Sequence, residues 1–377
     1  MSAPPHILVI GAGAFGGWTA LHLLRCGARV TLLDAWGPGN ARSSSGGETR
    51  VIRGTYGHHS AYTRLAARAL SLWHEHERRW QLRFFKALGV LWLAGADDAY
   101  ERAALPALRE AGMAVDELSP ADVARRWPQI NVQDVRWALL ERDAGYLAAR
   151  LTCDIVLDGF RQEGGEYREL AAQTGRMAGG EMQDVTLSDG SRLTADGFVF
   201  ACGPWLGALF PDVLGPLVRV TRQEVFFFGT PSGDARFSED ALPVWADHGA
   251  RFMYGIPANK WRGFKVADDT QGPPFEPTAG ERLASSEGLR AVREYVTFRF
   301  PGMKDAPLLE TRVCQYENTP DRNFLIDRHP AARNVWLVGG GSGHGFKFGP
   351  ALGELVADLV MGDAEADPLF RLSRFAT

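Results

Sequence analysis

Gly11, Gly13 and Gly16 form a G-x-G-x-x-G turn, and Asp34 follows 23 residues after the first of them. That spacing suits a dinucleotide. The first glycine allows the tight turn, the second lets a pyrophosphate approach the backbone, and the third lets a helix lie close to a strand. Ala14 and Phe15 open the helix, whose N-terminus carries partial positive charge, and Asp34 is placed to accept both hydroxyls of a ribose. The motif alone does not separate NAD from FAD. A second group, Thr49, Arg50 and Arg53, follows the flexible Gly46-Gly47 pair. Read as one helical turn, it puts two guanidinium groups on one side, able to grip carboxylate or phosphate oxygens. A salt-bridged surface turn is the plainer reading of the same residues. A third feature is Cys314, in the polar and loop-like "RVCQYENTPDRNFLID", far from Cys26, Cys153 and Cys202. With no C-x-x-C pair, neither a disulfide framework nor a metal site is expected. The other three thiols read as small core residues. Lysine occurs only at Lys86, Lys260, Lys265, Lys304 and Lys347, so each retained ammonium is of interest.

These residues need elements to position them. Ile7–Ile10 and Val30–Leu33 are short apolar runs without alternation, as in strands buried on both faces. A helix is expected from Ala14 to Cys26 between them, giving a βαβ unit. Further helices are expected over Ala61–Trp80, with His74–Glu77 on its wet face, and over 100–111, 148–160 and 351–361. Strands are expected over 90–93, 198–201, 218–228, 252–256, 263–266 and 335–338, with a hairpin turn at Asp189-Gly190. The last strand runs into "GGGSGHGFKFGP", a second strand–glycine–helix arrangement. Both such arrangements put backbone amides at the end of a parallel strand, where ligands sit in open α/β sheets.

At 377 residues the chain has room for two domains. Its net charge of −4 gives no reason to expect a nucleic-acid partner. No apolar window is long enough for a transmembrane helix, and the start "MSAPPHILVIGAG" reads as cytosolic.

"GETRVIRGTYG", "CQYENTPDRNFLIDRHP" and "GSGHGFKFGP" together resemble the monomeric sarcosine oxidase family of FAD-dependent amine oxidases. Arg126-Trp127-Pro128 and Cys202–Trp205 extend the resemblance through the chain. It implies an α/β fold: a Rossmann-like FAD-binding domain (1–85, 145–217 and 322–377) with an inserted antiparallel-sheet substrate domain (86–144 and 218–321). It implies FAD linked covalently through Cys314. Ser45, Thr49, Arg50 and the loop Gly341, Gly343, His344, Gly345 and Lys347 are implied to contact the cofactor, with Arg50 against the flavin itself. Arg53 and Lys347 match the pair that holds a substrate carboxylate, and Tyr254 and Tyr316 match pocket tyrosines. Lys265 matches the lysine that serves reaction with O2, where charge develops on oxygen. The implied activity is oxidation of an amine or amino acid by a monomeric enzyme, with H2O2 as the second product. A dehydrogenase that passes electrons to a carrier is the alternative.

Two departures stand out. Asp269 occupies the place of a histidine near the substrate amine, and Ser45 and Gly46 replace a histidine pair. Both argue against simple sarcosine as substrate, and the carboxylate leads us to expect a larger or more basic amino acid.

Overall fold

His6–Ile10 is buried along its whole length at the centre of a six-stranded sheet. Arg29–Asp34 and Gly197–Phe200 flank it in parallel, Glu166–Glu169 and Ala332–Gly339 extend it, and Leu325–His329 closes one edge antiparallel. A strand covered on both faces needs consecutive apolar residues, which is why these runs show no alternation. The computed structural model describes residues 3–249, 251–259, 262–362 and 365–376. It is a mixed α/β architecture with the parallel sheet expected from the sequence.

The helices Ala14–Arg25 and Gly349–Met361 lie against each other beside this sheet. Their closeness depends on glycine. A Cβ on Gly349 would fall 2.4 Å from the Trp18 ring, and one on Gly353 would fall 2.7 Å from the Trp18 backbone. Trp18 is only 2% exposed between them and meets Trp73 edge-on at 5.2 Å.

The second sheet has eight strands. Their order is Leu308–Asn318, Arg219–Phe228, Gly263–Asp268, Phe252–Asn259, Val244–His248, Val90–Ala94, Trp137–Glu141 and Val115–Leu118. It is antiparallel except where Val90–Ala94 runs parallel to Val244–His248, so the expected antiparallel sheet is mixed. The helix Ser286–Arg299 covers it. Arg299, 2% exposed, reaches Asp247 and Asp134 at 2.8 Å each.

Four local expectations are corrected. Arg50–Ile52 is a strand paired with Gly145–Leu147, not a helical turn, because Val51 and Ile52 are β-branched and find a partner edge. The stretch around Cys314 is an eleven-residue strand, not a loop. Its backbone pairs along the whole of Arg219–Phe228. His76 and Glu77 are buried rather than wet. His76 bonds the Leu72 carbonyl, and Glu77 accepts the Phe84 and Phe85 N–H groups at 2.9 Å. Cys26 is exposed at a helix end, not in the core.

Candidate active site

The glycine turn has a backbone that other residues could not follow. Gly11 has φ +106°, and a Cβ there would lie 2.3 Å from the Ala201 carbonyl oxygen. A Cβ on Gly16 would lie 1.8 Å from the Gly11 oxygen. Asp34 Oδ2 accepts the Ala12 N–H at 2.7 Å, and Ser45 Oγ accepts that of Ala14 at 3.1 Å. Burial raises the Asp34 carboxyl above its ordinary range, against the pull of the Trp36, Ala12 and Gly37 N–H groups. Together these residues open onto a cavity of about 400 Å³.

Gly11, Gly13, Ala14, Phe15, Asp34, Ser45, Arg50, Tyr316, Gly341, Gly343 and Gly345 all line that cavity. Gly16 stands behind the turn. Thr49 is also set back, its carbonyl accepting from Lys265 Nζ at 3.0 Å and from Arg50 Nη1 at 2.9 Å. Cys314 does not line the cavity wall; its sulfur lies 3.6 Å from Arg50 Nη2 and 3.9 Å from the Ser44 carbonyl oxygen. Ser44 and Arg50 do line it, so the thiol sits one residue-width back. The glycine geometry, the helix N-terminus and a buried Glu317 oxygen without a partner among the described residues fit a bound dinucleotide.

A smaller cavity of about 70 Å³ adjoins it, and Arg50, Tyr316, Gly343 and Phe346 line both. Arg53, Tyr254, Lys265, Asp269, His344 and Lys347 face this second space. His344 and Lys347, expected beside the cofactor, therefore belong to the smaller side. Lys347, 4% exposed, donates to the Tyr56 hydroxyl and the His344 carbonyl at 2.7 Å. The Arg53 guanidinium lies over Tyr56 and Trp92, 4.4 and 5.0 Å from their ring centres. Among the described residues neither cation makes an ion pair. Burial, and then Arg53, hold the Lys347 ammonium well below its ordinary range. Asp269 and Glu141 offset that shift in part, and two buried cations without a direct ion pair can receive an anion.

Across the space, the Tyr316 hydroxyl donates to Asp269 Oδ1 at 2.6 Å. Burial raises that carboxyl, while Tyr316 and then Arg322, Arg53 and Lys347 oppose the shift. Burial likewise lowers Lys265 to about 7, with Arg50 adding to the effect. His344 is fixed by Tyr56 at 3.3 Å and the Arg322 carbonyl at 3.0 Å, its imidazole held well below the ordinary range by desolvation and then Lys347. At about 70 Å³ this cavity is small beside its neighbour of about 400 Å³.

Several positioning residues escaped the sequence reading. Glu141, 1% exposed, accepts Thr55 Oγ1 at 2.7 Å and Trp92 Nε1 at 2.8 Å, and also the Gly54 N–H, fixing the backbone just after Arg53. A carboxylate closing the apolar run "WALLE" was the available signal. Tyr56, inside the quoted "GTYG", gave none until its hydroxyl was seen to hold Lys347. Cys202, read as a core thiol, lines the large cavity.

Comparison with known proteins places this geometry. The chain is 30% identical to N-methyl-L-tryptophan oxidase of Salmonella dublin over 386 residues, 98% of this chain and 99% of that protein. It is 30% identical to monomeric sarcosine oxidase of Bacillus sp. (strain B-0618) over 394 residues, 99% of this chain and 97% of that one. Among solved structures, L-proline dehydrogenase from P. horikoshii superposes with a TM-score of 0.86 at 21% identity, covering 100% of this chain and 98% of the other, a likeness of fold. The model of the FAD dependent oxidoreductase (DAO) family matches residues 6–359. The chain is thus a member of that family, alongside the monomeric sarcosine and N-methyltryptophan oxidases.

Proposed function

We propose that this protein oxidises a small N-alkyl or cyclic amino acid at its carbon–nitrogen bond, with O2 as electron acceptor. The observation that carries the reading is the pair Arg53 and Lys347, cations with no ion pair among the described residues, in a small cavity that shares a wall with the large one. FAD, held by the residues of the large cavity, would supply the redox chemistry: two-electron oxidation of the substrate carbon–nitrogen bond, balanced by reduction of O2 to H2O2.

The protein's own part is placement and charge. Arg53 and Lys347 clamp the substrate carboxylate, and its arrival restores the full charge of Lys347. Tyr254 and Tyr316 wall the space. Asp269, whose affinity for a proton is raised by burial, takes the proton of the substrate ammonium and leaves the neutral amine that oxidation requires. Phe252 and Phe346, which also line the cavity, exclude water. Gly11, Gly13, Asp34, Ser45 and the 341–345 loop hold the cofactor, and Cys314 tethers it, with Arg50 Nη2 3.6 Å from the sulfur. Lys265 presents an ammonium to O2 as negative charge develops on it. We also propose that the parallel-sheet portion (1–85, 145–217 and 322–377) acts as the cofactor domain and the remainder as the substrate domain.

The test is an oxygen-electrode and peroxide assay over sarcosine, proline, glycine, lysine and arginine. The small amino acids should consume O2 and yield equimolar H2O2. Turnover confined to lysine and arginine, or turnover only with an artificial electron carrier, would refute the reading.

A further inference from the structure

Glu317 follows Tyr316 in the strand Leu308–Asn318 and, by the alternation of a strand, points to the other face. Both residues reach the large cavity, whose wall also includes Gly11, Cys202, Gly341 and Ser342. The residue is 6% exposed, and its Oε1 has no hydrogen-bond partner among the described residues. The surroundings are shaped around it. A Cβ on Gly339 would lie 2.4 Å from that oxygen, and the Ser342 N–H holds the Glu317 carbonyl at 2.9 Å. A buried carboxyl in a dinucleotide cavity, with no ion pair among the described residues, calls for an oxygen-rich partner from the ligand.

We infer that Glu317 binds FAD as a neutral carboxylic acid, donating its proton to an oxygen of the ribityl–diphosphate chain. Only the neutral form can act as that donor. An ionised carboxylate there would instead repel the diphosphate. Burial prepares the neutral form, pushing the carboxyl up to about 7 against the Gly340 and Gly341 N–H groups. FAD's own negative charge pushes it further, so FAD binding takes up a proton.

The other titratable groups on the cavity wall are Asp34, Arg50, Cys202 and Tyr316. Burial keeps Cys202 a thiol, with Asp34 adding to the effect, and burial holds Tyr316 protonated. On the strand paired with Glu317 the nearest charge, Arg219, is exposed. From the loop after Gly339, His344 and Lys347 face the smaller cavity, as does Lys265. Lys265 also titrates near 7, so the signature of Glu317 is the difference between variants at position 317.

This inference rests on FAD occupying the large cavity, and the experiment separates the two claims. Apoprotein of the Cys314→Ser variant, in which binding is reversible, is titrated with FAD between pH 6 and 9 by flavin fluorescence. Proton uptake is read by calorimetry in two buffers. With Glu317 present, affinity should fall by up to about tenfold per pH unit above 7, with a proton taken up. Glu317→Gln, a permanent neutral donor, should flatten that part of the slope and keep the affinity seen at pH 6. Glu317→Ala should bind FAD more weakly even at pH 6, with unchanged circular dichroism. Equal slopes and equal proton uptake for Glu317 and Glu317→Gln would overturn the inference. Absence of FAD binding at every pH in the Cys314→Ser protein would overturn the cavity assignment instead.

Discussion

Lys265 and Lys347 are each 4% exposed in a chain with few lysines. A buried ammonium is costly unless its charge is used, and at these positions two uses differ in their pH dependence. Lys265 lies near 7, lowered from its ordinary value, so its positive form is lost as pH rises through 7. The rate of the O2 half-reaction should fall over the same range, and Lys265→Met should lower it by about 10² or more and remove that dependence; stopped-flow oxidation of reduced enzyme measures both. Asp269 has the opposite sign. Raised by burial, it is active as a carboxylate above its folded pKa, so kcat/KM for the amino acid should drop as pH falls below that point. Asp269→Asn should lower kcat by about 10² to 10⁴ while leaving the affinity for a simple carboxylate inhibitor nearly unchanged. Cys314→Ser should release its flavin on acid precipitation, whereas the wild-type pellet should stay yellow. At this scale Arg53, Lys265 and Lys347 were legible because rare or paired charges stand out in a sequence. Glu317 and Glu141 were not, since each reads as an ordinary charge on a strand until its buried neighbours are known.

The elements that carry these residues are joined by close contacts that tolerate little change. Gly353 lets the helix Gly349–Met361 rest on the Trp18 backbone. Gly353→Val should therefore cost about 1–3 kcal/mol by overpacking, seen as a lower denaturant midpoint, and should weaken cofactor retention because Ala14–Arg25 carries the glycine turn. The apolar runs Ile7–Ile10 and Val335–Val338 announced buried parallel strands correctly, since both faces are covered and nothing alternates. The strand holding Cys314 did not announce itself. Its residues are polar on both sides, and its identity comes from a partner strand about ninety positions away. Arg50 and Arg53 taught the same lesson: spacing of three suggested a shared helical face, whereas a strand sends one guanidinium to the thiol and the next to the aromatic wall.

For the whole molecule, two sheets meet along the boundary of the two cavities, and function needs both in register. The buried Arg299 ties the helix Ser286–Arg299 to Asp247 within the eight-stranded sheet. Arg299→Ala leaves that carboxylate buried without its cation and should cost about 3–5 kcal/mol; the double variant Arg299→Met with Asp247→Leu should recover much of the loss in equilibrium unfolding. The fold class was legible from the glycine turn and the flanking strands. The mixed character of the second sheet was not, because the parallel pairing of Val90–Ala94 with Val244–His248 joins segments about 150 residues apart. The most direct measurement of the central claim is an anaerobic titration of the purified protein with proline and with sarcosine, followed at 450 nm. A small amino acid should bleach the flavin at one equivalent per site, and admitting air should restore the colour with equimolar H2O2. Colour that persists through excess of every small amino acid, in protein carrying a full complement of FAD, would contradict it.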